Sequence, residues 1–162
     1  DNTFTEMAKD YGVDDLGNGV QATFFDYDKD GDLDLYVANY PMTPFDAPRS
    51  YYFYKMNNTE DDETDNLYRN DGLSFTKVTE EAGLRTYGLT LSATVGDLNN
   101  DSYPDIYISN DFSSPDFMYM NNGDGTFSDN TERYGYDLKD GGMVTNAIWA
   151  DVNNDNKKDL IT

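Results

Sequence analysis

Three short acidic loops that share one spacing constrain this chain more than any other feature of its sequence. The first loop begins at Asp26 and carries carboxylates at its positions 1, 3, 5 and 9. The other two begin at Asp97 and Asp151 and keep an oxygen-bearing side chain at the same four positions. Two like charges about 4 Å apart repel by roughly 4 kcal/mol at an effective dielectric constant of 20. A loop that turns these carboxylates inward therefore requires a cation.

The oxygen-rich ligand set predicts Ca²⁺, with about three ions in the chain. Ca²⁺ accepts a variable number of oxygens at flexible angles, whereas Mg²⁺ requires a near-ideal octahedron and gives up its waters reluctantly. In each loop, positions 1, 3, 5 and 9 would bind through side chains and position 7 through its backbone carbonyl. The predicted metal ligands are Asp26, Asp28, Asp30, Asp32 and Asp34; Asp97, Asn99, Asp101, Tyr103 and Asp105; and Asp151, Asn153, Asp155, Lys157 and Asp159.

The three loops are not equivalent. The turn glycine of the first loop, Gly31, is replaced by Ser102 and Asn156, and the later loops carry three ligand carboxylates instead of four. Because Ser adopts a left-handed conformation less readily than Gly or Asn, we expect the first loop to bind most tightly. One such loop alone could be a solvated acidic turn, but three copies favour metal sites. Val37 replaces the final Glu of an EF-hand and lies in an apolar run that predicts a strand.

The loops belong to a longer repeat that predicts an all-β fold. A strand-like segment around Phe4, Phe75 or Phe127 precedes each loop at nearly constant spacing, and apolar strands flank the loop itself. The unit has four strands, A to D, with the calcium loop in the A–B turn. Four-stranded antiparallel units repeated at this length are typical of β-propeller blades. We predict about three blades, with a ring that is not closed within this chain.

Residues 1–162 are predicted to form a single propeller-repeat domain. Its parts are 1–18, strand D of a preceding blade; 19–84, a blade with an insertion at 41–65; 85–136, a second blade; and 137–162, a partial blade with strands A and B. Either further blades of a longer chain complete the ring, or the A–B end of one copy takes strand D of the next and builds a filament. A sequence that begins at Asp1 without Met and stops in strand B favours the second alternative.

Composition narrows the classes of function. A formal net charge of −21 argues against nucleic acid and anionic membranes as partners, because both are bound through Lys and Arg. The sequence contains no Cys and no His, which excludes disulfides, thiolate or imidazole zinc sites and His-dependent triads within it. No apolar run approaches the roughly 18 residues of a membrane span, so membrane insertion is not expected. The acidic excess suits a calcium-rich extracellular setting.

The insertion at 41–65 holds the other candidate site. Its four consecutive aromatic residues could stack on a polysaccharide or a surface protein, or could fold back over the edge of their own blade. The acidic run at 60–63 predicts a solvated tip more than a fourth metal site, and Asn57 begins a glycosylation sequon. The candidate ligand or interface residues are Tyr51, Tyr52, Phe53 and Tyr54.

The motifs at 26–39, 67–70 and 75–84 resemble the FG-GAP/VCBS repeats of integrin-α-like β-propellers, closest to the UnbV/ASPIC and cartilage-acidic-protein type. The resemblance covers most of the chain outside 41–65. It implies that the three loops hold calcium, that the module is extracellular, and that it serves adhesion and recognition more than catalysis. The departures are the two replaced turn glycines and the small number of blades.

Three functions are compatible with these features. The favoured one is a non-catalytic, calcium-binding structural module that assembles head to tail with other copies of itself into a filament or surface layer. The second is a propeller fragment that recognises a protein or polysaccharide through 41–65. A polysaccharide lyase or glycosidase is the least favoured, because the regularly spaced carboxylates are assigned to metal.

Overall fold

Ten strands in three antiparallel sheets are the main regular structure of the described residues. The computed structural model describes residues 3–44, 46–84, 87–112, 114–133 and 146–161. The helices are α1 (Ala8–Tyr11) and α2 (Arg49–Met56), with a 3₁₀ turn at Asp61–Glu63. The strands are β1 (Gly19–Phe25), β2 (Asp34–Asn39), β3 (Asn66–Asn70), β4 (Phe75–Lys77), β5 (Thr90–Gly96), β6 (Asp105–Asn110), β7 (Phe117–Asn121), β8 (Phe127–Asp129), β9 (Ile148–Ala150) and β10 (Asp159–Ile161).

Each sheet is a meander in which strands follow one another in chain order. The first sheet runs β1-β2-β3-β4, the second β5-β6-β7-β8, and the third contains β9 and β10. Every pairing is antiparallel. The residue before each acidic loop pairs with the aspartate at position 9 of that loop. These pairs are Phe25 with Asp34, Gly96 with Asp105 and Ala150 with Asp159. The predicted all-β, blade-like fold class is confirmed.

The N-terminal segment differs from its prediction. Residues 3–18 contain no strand D among the described residues, but the one-turn helix α1 and irregular backbone. A strand needs a hydrogen-bonded partner, and no described strand lies beside residues 3–5. The turn that follows is nevertheless the counterpart of the turn after β4. Gly12 and Gly83 share a φ of 75°, and a Cβ at these positions would lie 2.7 Å from the Phe75 carbonyl oxygen and 3.1 Å from that of Phe127.

Parts of the predicted second and third blades lie outside the described residues. These are residues 85–86, 113 and 134–136 of the second blade, and 137–145 and 162 of the partial blade. The described remainder of the third unit is the hairpin of β9 and β10, which brackets the last acidic loop.

The 41–65 insertion is folded and helical. Pro48, with φ −70°, stands directly before α2, where its fixed dihedral angle suits a helix start. The 3₁₀ turn is closed by a reciprocal capping box between Glu60 and Glu63. An ion pair of Lys55 with Glu63 connects the helix to that turn. The aromatic run that sequence alone assigns to a loop therefore lies on a short helix.

The sheets stack face to face, and the second is covered on both sides. One core cluster joins the first and second sheets and includes Phe25, Leu67 and Ile106. A second cluster joins Met118 of the second sheet to Trp149 of the third. Consequently every residue of β6 and β7 is buried. Successive blades of a propeller pack in the same manner.

The outer faces at the two ends of this stack remain exposed. On β1, Val20 and Phe24 point away from the second sheet, and Phe24 is 57% exposed. On the third sheet, Ile148 pairs with Ile161, and Ile148 is 54% exposed. Both surfaces are apolar faces without a partner among the described residues.

Candidate metal centres

All three acidic loops share four hydrogen bonds, and the second and third loops add two that the first lacks: from the position 5 amide to the position 1 carboxylate, and from the position 3 Asn to the position 5 carboxylate. The amide of position 2 donates to the position 9 carboxylate in each loop, which draws the two ends of the loop together. These bonds run from Tyr27 to Asp34 (3.0 Å), from Leu98 to Asp105 (2.8 Å) and from Val152 to Asp159 (2.9 Å). The amide of position 6 donates back to the carboxylate of position 1. These bonds run from Gly31 to Asp26 (3.2 Å), from Ser102 to Asp97 (2.9 Å) and from Asn156 to Asp151 (2.8 Å).

The side chains at positions 3 and 5 are fixed in the same way. Each accepts a bond from the amide two residues later, a turn that Asp and Asn form readily. In the first loop, Asp28 accepts from the amide of Asp30 (3.3 Å), and Asp30 from the amide of Asp32 (2.9 Å). The other loops repeat both bonds. The backbone thus holds the side chains at positions 1, 3, 5 and 9.

Two positions in every loop have left-handed backbone. Position 6 does so as predicted, with φ of 99° at Gly31, 75° at Ser102 and 64° at Asn156. Position 4 was missed by sequence reasoning and has φ between 61° and 65° in the three loops. Asn occupies position 4 in both later loops, and its tolerance of this conformation was the available signal.

The carboxylates converge most closely in the first loop. One oxygen from each of Asp26, Asp28 and Asp34 lies within 4.8 Å of the others. Among the described residues, no other group of three acidic side chains comes as close, and position 3 of the later loops is Asn99 or Asn153. Oδ1 of Asp26 is buried and accepts no hydrogen bond within the described part of the chain. A buried oxygen of this kind normally has a partner, and a Ca²⁺ ion would supply one.

Burial places the innermost carboxylates where their ionised forms are disfavoured. Burial raises the pKa of Asp34 to about 6, against the opposing effect of its backbone hydrogen bonds, and the charges of Asp28 and Asp30 add to the rise. Burial likewise raises the pKa of Asp28. In the second loop, burial and then the charges of Asp101 and Asp97 raise the pKa of Asp105. A divalent cation would reverse this penalty, so the donor set fits calcium.

The remaining predicted ligands lie near solvent. Asp30 and Asp32 are exposed in the first loop, as are positions 1 to 8 of the third loop. Position 7, predicted to bind through its carbonyl, is placed in each loop by its amide bond to position 5. The identity of the ligands stays a prediction.

The four aromatic residues of the insertion divide into two pairs. Tyr51 and Tyr52 face inward, and Tyr52 is 5% exposed, with its ring centroid 6.3 Å from that of Tyr87. Phe53 and Tyr54 face outward, and Tyr54 is 63% exposed. The fold-back alternative therefore describes the first pair, and the second pair remains available to a ligand.

Asn57, the sequon residue, ends α2 on the surface. Its side chain is exposed and donates to the backbone carbonyl of Phe53 at 2.9 Å. Glycosylation at this position remains a prediction.

Stacked four-stranded meanders, each with an acidic loop between its first two strands, define a partial β-propeller with candidate calcium loops. The chain belongs to the FG-GAP-like repeat family, whose model matches residues 57–108 and 98–162. The first loop lies before this match, but four of its hydrogen bonds recur in the other two loops.

The chain is also similar to Cartilage acidic protein 1 of Xenopus tropicalis. The two are 29% identical over 152 residues, which are 93% of this chain and 22% of the relative. The chain thus spans about a fifth of the length of the relative that it matches. None of the helices in the described ranges has the length and apolar character needed to cross a bilayer.

Proposed function

We propose that this chain is a calcium-stabilised, non-catalytic part of an extracellular β-propeller that serves adhesion or recognition. The observation that carries the proposal is the buried Asp26 Oδ1, which lies beside Asp28 and Asp34 and has no hydrogen-bond partner among the described residues. The recurrence of four hydrogen bonds of the first loop in two further loops supports about three ions. Membership of the FG-GAP-like repeat family and the similarity to a cartilage protein support the extracellular setting.

Calcium would act by joining strands A and B of each blade at the loop between them. An ion that binds only the folded state adds about 2.7 kcal/mol when its free concentration is 100 times its dissociation constant. Three independent sites would then add about 8 kcal/mol, against a total stability of about 5–15 kcal/mol for a typical domain. The ion is therefore expected to decide whether the blades are folded.

Thermal unfolding in calcium and in excess chelator tests the proposal. Chelation is expected to lower the melting temperature by roughly 15 °C or more, since a protein of this size shifts by about 2–4 °C per kcal/mol. Asp28→Ala should reduce the calcium-dependent part, and Asp46→Ala, at an exposed position outside the loops, should not. An equal melting temperature with and without calcium would refute the proposal.

Head-to-tail self-association is a second candidate, favoured by the two exposed apolar end faces. The face with Phe24 and the face with Ile148 lie at opposite ends of the stack, so contact between copies would be heterologous and could extend into a filament. Sedimentation velocity in calcium should show species that grow with concentration, and Phe24→Asp should abolish them. A monomer at all concentrations would reject this candidate.

Recognition of a protein or polysaccharide is assigned to the outward pair on α2. Arg49 lies 5.7 Å from the centre of the Phe53 ring and adds a cation to this surface. Tyr54→Ala should weaken capture of such a partner without changing the melting temperature. Tyr52→Ala is unsuitable for that purpose because its ring is packed in the core.

A further inference from the structure

We propose that Asn121 couples the first two calcium loops, so that an ion in one raises the calcium affinity of the other. This inference rests on the proposed calcium binding and adds a regulation of the sites that neither loop possesses alone. It follows from a continuous set of buried hydrogen bonds that crosses from the first blade to the second.

The hydrogen bonds join the position 9 carboxylates of the two loops. The Tyr27 amide donates to Asp34 Oδ2 at 3.0 Å. The Tyr27 carbonyl accepts from Asn121 Nδ2 at 2.8 Å, and the Asn121 amide donates to Asp105 Oδ1 at 2.9 Å. All four residues are buried, and Asn121 is 4% exposed. Hydrogen bonds in a low-dielectric interior are strong and are costly to leave unmade.

Hydrogen bonds to both loops hold the side chain of Asn121, so it cannot move with one loop alone. Its Nδ2 also donates to the Pro104 carbonyl of the second loop at 3.2 Å, and its Oδ1 accepts from the Gly123 amide at 2.9 Å. A shift of Tyr27 in the first loop therefore has to displace Asn121 and, with it, the backbone next to Asp105.

Two side-chain contacts join the first loop to the second blade, one of them directly to the second loop. Lys29 Nζ of the first loop lies 5.2 Å from the ring centroid of Tyr103 in the second. The ring of Tyr27 stacks on Phe127 of β8 with centroids 6.1 Å apart. The loops are thus in contact through both the buried bonds and the surface.

The sign of the coupling follows from preorganisation. Calcium in the first loop holds Asp34, which fixes the Tyr27 amide, and Asp28, whose peptide bond to Tyr27 carries the carbonyl that accepts from Asn121. The second loop then binds its ion without the cost of ordering Asn121 and Asp105. Linkage requires the reverse effect to be equal, so an ion in the second loop raises the affinity of the first by the same factor.

Asn70 is a matched control within the same chain. Its amide donates to Asp34 Oδ1 at 2.8 Å, its Nδ2 to the Leu33 carbonyl at 3.1 Å, and its Oδ1 accepts from the Gly72 amide at 2.9 Å. These contacts repeat those of Asn121 with its own loop. Among the described residues, Asn70 makes no hydrogen bond to a neighbouring blade.

Calcium titrations followed by amide NMR signals separate the two loops. The Gly31 amide reports on the first loop and the Ser102 amide on the second, since each donates to a position 1 carboxylate. Disabling the first loop with Asp28→Ala and Asp30→Ala is expected to raise the calcium midpoint at Ser102 by about fivefold or more. Disabling the second loop with Asn99→Ala and Asp101→Ala should raise the midpoint at Gly31 by the same factor.

The substitution of Asn121 decides the proposal. In Asn121→Ala, disabling the first loop is expected to move the Ser102 midpoint by less than about twofold, whereas Asn70→Ala should keep the full effect. If Asn121→Ala does not fold, Asn121→Ser provides the same test, because its hydroxyl can still accept from Gly123 but is too short to reach Tyr27. Coupling that survives the loss of Asn121, or that is absent from the wild-type protein, overturns the inference. If neither amide responds to calcium, the proposed calcium function itself fails.

Discussion

The first and third acidic loops share four internal hydrogen bonds but lie in different surroundings. In the first loop, both oxygens of Asp34 accept amide bonds, one from Tyr27 within the loop and one from Asn70 on β3. In the third loop, Asp159 accepts from Val152, and the described part of the chain has no third strand that could provide the second donor. The local sequence therefore forms the loop, and the rest of the blade determines how deeply its last ligand is buried.

The largest difference in stability is expected between truncating an isoleucine of the second sheet and truncating one of the third. Ile106 is fully buried between two neighbouring sheets, whereas Ile161 lies on the exposed end face. Ile106→Ala should lower the free energy of unfolding by about 2–5 kcal/mol, and Ile161→Ala by less than about 1 kcal/mol. Urea unfolding in saturating calcium measures both. Equal losses would mean that the third sheet is covered as fully as the second.

The next largest difference in stability is expected between variants of the position 9 ligands of the first and third loops. Asp34→Ala and Asp159→Ala each remove one predicted ligand, but only the first also leaves two amides, those of Tyr27 and Asn70, without their acceptor. Since an unsatisfied buried group costs about 1–3 kcal/mol, Asp34→Ala should be the more destabilising by roughly 2 kcal/mol or more. Chemical unfolding of the two variants in calcium provides the comparison. A larger loss of stability for Asp159→Ala would show that burial of the position 9 aspartate does not determine which variant is less stable.

A pH titration sharpens the contrast between buried and exposed carboxylates. Burial raises the pKa of Asp65 to about 6, although Asn39, Tyr36 and Thr90 all donate to it. Its pKa in the unfolded chain is about 4, so the folded protein binds the proton more tightly. The stability that the folded protein gains from this tighter proton binding is complete below about pH 4 and is lost as the pH rises through about 6.

Asp65→Asn removes this titration and leaves the loop carboxylates as they are. At a fixed, saturating calcium concentration, the wild-type protein should lose roughly 2–3 kcal/mol relative to the variant between pH 4 and pH 7. An Asp46→Asn variant, exposed and outside the network, should follow the wild type at every pH. A constant difference between wild type and Asp65→Asn would contradict the prediction.

The smallest effect is expected at the turn position of the second loop. Ser102 has φ 75°, a conformation that costs an L-residue about 1–2 kcal/mol and glycine nothing. Ser102→Gly should therefore stabilise the protein by about 1 kcal/mol, and Asn156→Gly by less, because Asn tolerates this backbone better. Thermal unfolding with calcium present measures both. Destabilisation by Ser102→Gly would show that the hydroxyl has a role of its own.

The strand pattern and the acidic loops could be predicted from the sequence because both are local. The strands predicted around the first two loops, at 20–25, 33–39, 89–95 and 105–110, agree with β1, β2, β5 and β6 to within about one residue at each end, since apolar runs and loop spacing define them. The network around Asp65 could not be predicted in the same way. Tyr36 and Asn39 recur as Tyr107 and Asn110, but the aspartates that they bond, Asp65 and Asp116, lie at different distances along the chain.

Two other features depend on tertiary contacts. Half of the residues of helix α2 are aromatics that favour strands, and the helix is held by the packing of Tyr52 against Tyr87 and Leu89 from beyond the insertion. The bond from Asn121 to Tyr27 spans two blades, so no local pattern reveals it. In the sequence, Asn121 and Asn70 look alike, and only the fold distinguishes them.

The two glycine turns at Gly12 and Gly83, each before a four-stranded sheet, have a consequence for the order in which the chain folds. Gly12 packs against the Phe75 carbonyl of the first sheet, and Gly83 packs against the Phe127 carbonyl of the second. Each turn therefore contacts a strand of the blade that follows it. Contacts of this kind connect nearest neighbours only, as in solenoid proteins whose folding spreads along a row of repeats. We therefore expect folding to propagate stepwise from blade to blade, with each turn ordering when the next blade forms.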